Sequence, residues 1–146
     1  LVAFLATLFG LPASILGNEL ALRLGRRRLI GGVMALSAMV ALSVGAAAAG
    51  PYWLIVGLMI VHAIMMAADS GSLTAGTVAA AKPEQQGATM ALHSMVGFGC
   101  SFLGPLAVGL ALDAGGGRTD PTAWFCAFAA MALGGVLGLL VLRVTR

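Results

Sequence analysis

Five long apolar runs, separated by short clusters of glycine, proline and polar residues, lay out this chain. A hydrocarbon layer about 30 Å thick needs about 20 helical residues to cross it. The runs at about 2–22, 29–49, 52–81, 88–112 and 122–142 reach that length. The third is strongly apolar to Ala68, then thins through Ser70, Ser72, Thr74 and Thr77, which suits contact with protein or water at that end. Gly50-Pro51 parts the second and third runs, and Pro51 fits a first helical position, where no amide donor is needed. Lys82-Pro83-Glu84 parts the third from the fourth, and Gly115, Gly116 and Gly117 end the fourth. Asp120-Pro121 reads as a cap and a first-turn proline for the fifth. Pro12 and Pro105 fall inside runs, which membrane helices tolerate, usually with a kink. The pattern predicts an all-α fold, a polytopic transmembrane helix bundle, with residues 1–146 forming one partial transmembrane domain.

Composition explains why water is the wrong solvent for it. The chain is 60% hydrophobic and 9% charged, with a mean hydropathy of +1.04. A soluble domain carries about 25% charged residues to build a polar skin, so lipid is the expected partner surface. The chain opens on Leu1 inside an apolar run, and is expected to lack an N-terminal part. No basic stretch precedes that run, as a signal peptide would need. Cys100 and Cys126 sit in apolar runs, with no CxxC or metal-ligand spacing, and read as thiols buried in lipid-facing or packed helices. The pI near 9.5 comes from clustered arginines without interleaved aromatics, so no nucleic acid is expected.

Short loops make successive helices antiparallel, which lets the cations test the topology. Arg23, Arg26, Arg27 and Arg28 follow the first run, Lys82 the third, and Arg143 and Arg146 the fifth; all fall on one side. The other side holds Arg118. The positive-inside bias assigns the arginine side to the cytoplasm, with the C-terminus inside, in a multi-pass protein of the plasma (inner) membrane. Tyr52, Trp53 and Trp124 begin runs at the outer interface, where such rings prefer to lie.

The first run ends in Gly17-Asn18-Glu19-Leu20-Ala21-Leu22-Arg23-Leu24-Gly25-Arg26-Arg27-Arg28. This resembles the G-x-x-x-D-R-x-G-R-R loop of the major facilitator superfamily, with Arg23, Gly25, Arg26 and Arg27 in register. Leu22 stands where the motif has its acid, and Asn18 occupies the leading glycine position, with Gly17 one residue early. The segment from Pro83 to Thr89, followed by Gly97, Gly104-Pro105, Gly109 and Asp113, is similar to that family's passage into its eleventh helix. The resemblance implies helices eight to twelve of twelve, part of the second six-helix half. It also implies a gating loop at Glu19, Arg23, Gly25, Arg26 and Arg27, whose pairs form and break as the halves rock. Independently of any family, Gly25 permits a tight turn, and the arginines either pair with carboxylates and helix ends or simply anchor the loop among lipid phosphates.

The polar residues inside the runs are the candidate pathway. A carboxylate at mid-membrane costs about 2.5–3.5 kcal/mol, which the apolar stretch from Trp53 to Met66 can offset. From Tyr52 to Asp69 is about 25 Å of helix, which puts Asp69 near the inner side. A latch to Arg23 or Arg26, a snorkel into water, and contact with substrate or proton all suit that depth. His62 falls near the bilayer centre on a face shared with Met65, Met66 and Asp69. Proton coupling or substrate contact is one reading of it; a neutral histidine bonded to a neighbouring helix is the other. Glu19 stands one turn before Arg23 and suits an i,i+4 pair. His93 and Ser94, leading into Ser101 and the small residues Gly97 and Gly104, read either as helix packing or as cavity lining. Gly134 and Gly138 read as helix packing.

No phosphate loop, nucleophile elbow or HExxH occurs, so no enzyme activity, catalytic residue or cofactor is expected, and no spacing favours a metal site. The expected function is secondary active transport of a small-molecule solute by alternating access, coupled to protons, as part of a longer chain whose missing N-terminal half supplies the rest of the cavity. The alternative is a non-transporting membrane receptor or assembly protein that retains the bundle.

Overall fold

The structure, a computed structural model, describes residues 1–144. Among them lie five α-helices and no strand: α1 (Val2–Leu24), α2 (Arg26–Ala46), α3 (Tyr52–Ala80), α4 (Gln86–Ala114) and α5 (Pro121–Val144). A short 3₁₀ turn, Pro83–Gln85, leads into α4. All five helices are long and apolar enough to cross a membrane. Arg146, one of the cations expected inside, lies outside the described residues.

The ends of the helices follow local chemistry that apolar length does not register. Gly25 alone joins α1 to α2, at φ 89°, a left-handed conformation that costs glycine nothing. Arg26, Arg27 and Arg28 therefore form the first turn of α2 and not a loop. At that end the helix dipole disfavours cations, and Arg26 finds its acceptors on α1 and α3. At its far end α2 stops at Ala46, earlier than the apolar run. Ala47 N–H still bonds Ser43 (2.9 Å), but Gly50 N–H turns back onto Ala47 (2.7 Å) and closes a tight turn before Pro51. Asp120 Oδ1 accepts from Thr122 N–H at 2.7 Å, so the acid before Pro121 caps α5.

The helices do not pack in chain order. α1 lies chiefly on α3, α2 lies between α3 and α5, and α4 leans on α5. Close approach is made by small residues. A Cβ on Gly17 would fall 2.5 Å from the Ala68 carbonyl oxygen, so the α1 and α3 backbones are nearly in contact there. The tightest apolar cluster is Ala38, Ala41 and Ala132, with Phe128 against it. Large side chains point outward instead: Phe98 is 78% exposed and Trp53 70%, and α4 buries no residue at all. The exposed area is 9288 Å², against about 6,900 Å² for a compact water-soluble chain of this mass. Many large hydrophobic side chains are among what is exposed, and they call for lipid or further helices as cover.

Candidate functional site

A cavity of about 320 Å³ opens between α2, α3 and α5. From α2 it takes Met34, Ser37 and Ala41, from α3 His62, Met65, Met66 and Asp69, and from α5 Met131, Gly134 and Gly135. One turn of α3 separates His62 from Met65 and Met66, and a second brings Asp69 to the same side. The structure thus brings three expected pathway residues, His62, Met66 and Asp69, to one wall.

His62 is buried, with Nδ1 3.1 Å from Ser37 Oγ on α2. This is the cross-helix bond that the sequence leaves as one of two readings, and it coexists with cavity lining. Nothing in the sequence pattern sets Ser37 apart from Ser43, the other hydroxyl of the second apolar run. Asp69 has its Oδ1 buried with no hydrogen-bond partner.

Of the three readings of Asp69, the latch is not made in this structure. Arg23 pairs with Glu19 instead (2.9 Å), one turn back on α1. That pair is well exposed, and worth no more than about 1 kcal/mol. Arg26 Nη1 donates to Asn18 Oδ1 at 3.2 Å and to the main-chain carbonyl of Ser72, tying α1, α2 and α3 together. Among the described residues no base pairs with Asp69. Gly76 makes the reach of Arg26 possible: a Cβ there would lie 2.7 Å from Arg26 Cδ. Ser72 is fully buried, and its Oγ has no partner.

The other expected residues lie apart from the cavity. His93 Nε2 is 3.4 Å from Thr74 Oγ1, a weak bridge from α4 to α3. Ser94 is exposed, and neither residue lines the cavity. Arg27 and Arg28 line a separate groove of about 520 Å³ with Arg143 of α5.

Two packing expectations are corrected. Nothing lies within 4 Å of a Cβ built on Gly97 or Gly104, because that side of α4 meets no helix of the described chain. Pro105 lies within an α4 that runs on past it as one helix. On α5 the close approach is made by Gly135 and Gly138. A Cβ on Gly138 would lie 3.0 Å from the Met34 sulfur, and one on Gly135 3.3 Å from the Met34 carbonyl. Gly134 faces the cavity instead, with nothing within 4 Å of a Cβ built on it.

Among the described residues no group of three or more His, Cys, Asp or Glu side chains could hold a metal ion. The cavity offers one carboxylate, one imidazole and polarisable apolar walls, a set able to bind a small solute or exchange a proton. No protein-family model matches the chain, no curated protein matches it, and no solved structure matches it.

Proposed function

We propose that this chain is the C-terminal part of a major-facilitator-type transporter, moving a small solute by alternating access with proton coupling. The observation that carries the reading is the cavity between α2, α3 and α5, where His62 and Asp69 face a space bounded by helices long enough to span a bilayer. Ionisable residues at such depth are costly and mark solute or proton paths. The loop residues support the family. Gly25 makes the tight turn that the G-x-x-x-D-R-x-G-R-R motif requires, and Arg26 joins three helices at that end. A tie of this kind must break if the helices move relative to one another, which suits a gating loop.

In this reading the protein is a multi-pass inner-membrane protein with its C-terminus in the cytoplasm. An N-terminal half of the same chain completes the cavity. The test is flux in proteoliposomes of the full-length protein under an imposed pH gradient. Solute movement should follow the gradient in the wild type and lose that dependence in the double variant His62→Gln, Asp69→Asn. Full gradient-driven flux in the double variant overturns the coupling role of the two residues. Absence of any solute flux overturns transport.

A further inference from the structure

Among the described residues Asp69 is the only acid lining the cavity, and neither Lys nor Arg lines it. Its Oδ1 is buried and receives no hydrogen bond, although an unsatisfied carboxylate oxygen in an apolar setting is costly until a donor reaches it. The polar neighbours do not supply that donor. His62 lies against Ser37 through Nδ1. Arg26 meets α3 one turn beyond Asp69, where its Nη1 is engaged by Asn18 Oδ1 and the Ser72 carbonyl. The remaining walls are apolar, and their large side chains are chiefly thioethers: Met34, Met65, Met66 and Met131. Unbranched, polarisable methionines reshape around apolar groups of different outline and do not fix one geometry. The volume of about 320 Å³ is at the small end of sites for organic ligands.

We propose that the cavity binds an organic monocation, a protonated amine on a compact apolar body. The ammonium N–H donates to the Asp69 carboxylate, and the apolar body lies against the methionines. A neutral hydroxyl meets the carboxylate without the opposite charge that makes the bond strong, and an anion is repelled by it. The proposal deepens the transport reading, and rests on it only for the ligand's role as cargo.

Equilibrium binding to the full-length protein in detergent tests it, with radiolabelled 4-phenylbutylamine as probe and unlabelled amine, 4-phenylbutanol and 4-phenylbutyrate as competitors. The three share a skeleton and differ in charge. Saturable binding is expected, displaced by the amine and not by the alcohol or the acid. Asp69→Asn should weaken it about ten- to a hundredfold, the span of a charge-assisted hydrogen bond. Asp69→Glu, which keeps the charge, should stay within a few-fold of wild type. Absence of saturable binding, equal displacement by the alcohol, or unchanged affinity in Asp69→Asn overturns the proposal. Gradient-driven flux of another solute without amine binding sinks the cation site and leaves transport standing. Asp69-dependent amine binding without flux does the reverse.

Discussion

The guanidinium of Arg26 donates to the main-chain carbonyl of Ser72, on a helix that Arg26 meets only through folding. That carbonyl belongs to the interior of α3, so the arginine adds a charged donor to an acceptor within the helix. It can do so because position 76, one turn on, has no side chain to block its path. Asn18 on α1 holds the same nitrogen from the other side.

The dependence of Arg26 on Gly76 gives a prediction with a change of sign. Gly76→Ala gains up to about 1 kcal/mol of helix propensity, but its Cβ displaces Arg26 and removes a charge-assisted bond worth about 1.5–3 kcal/mol. The net expectation is a destabilisation of about 0.5–2 kcal/mol, read as lower thermal stability of the full-length protein in detergent. In an Arg26→Ala background the bond is already gone, so Gly76→Ala should become neutral or stabilising. Strictly additive effects in this cycle would show that the two residues are not coupled.

A second prediction concerns how closely α1 and α3 approach. A Cβ on Gly17 would sit 2.5 Å from the Ala68 carbonyl oxygen and 2.8 Å from its Cα. Both are main-chain atoms, so no rotamer change relieves the clash and the helices must part. Gly17→Ala should cost about 1–3 kcal/mol. Gly71→Ala should behave alike, because its Cβ would meet the Ser14 main chain. Gly57→Ala is the control on α3, with no atom within 4 Å of the added methyl. Its melting temperature should match or slightly exceed that of wild type. Equal melting of Gly17→Ala and Gly57→Ala would refute the packing of α1 on α3.

These glycines also show where sequence reading runs out. Helix number and approximate span follow from apolar length, and the stops at Gly25, Gly50-Pro51 and Asp120-Pro121 are written in residues with fixed backbone roles. The wall of His62, Met66 and Asp69 was legible because helical spacing puts them on one side of α3. What faces that wall was not legible. Ser37 and Met131 reach it from other helices, and near-uniform hydrophobicity gives no amphipathic stripe from which to read a helix's rotation. For the same reason Gly134 and Gly138 looked like the contact on α5, when Gly135 and Gly138 make it. Gly17 was noted only as a displaced motif residue, yet it is where two backbones meet.

The last prediction asks whether lipid covers what the chain leaves bare. Cys100 stands at the middle of α4 and is exposed in the structure, as are its large neighbours Phe98 and Phe102. In water such a thiol would react readily with a charged maleimide. Across a bilayer it is shielded, because the reagent does not enter hydrocarbon. In sealed vesicles Cys100 should therefore stay unmodified, and should react once detergent or denaturant strips its cover. Against a Cys100→Ser, Cys126→Ser background, Arg28→Cys and Arg118→Cys should each react, the first from the face bearing the α1–α2 turn and the second from the opposite face. The connection holding Arg118 follows two further crossings after α2, and therefore ends on the other side if each of the intervening helices spans. Modification of Cys100 in intact vesicles as fast as of Arg118→Cys would mean that α4 faces water. Labelling of Arg28→Cys and Arg118→Cys from one side would mean that an intervening helix does not cross.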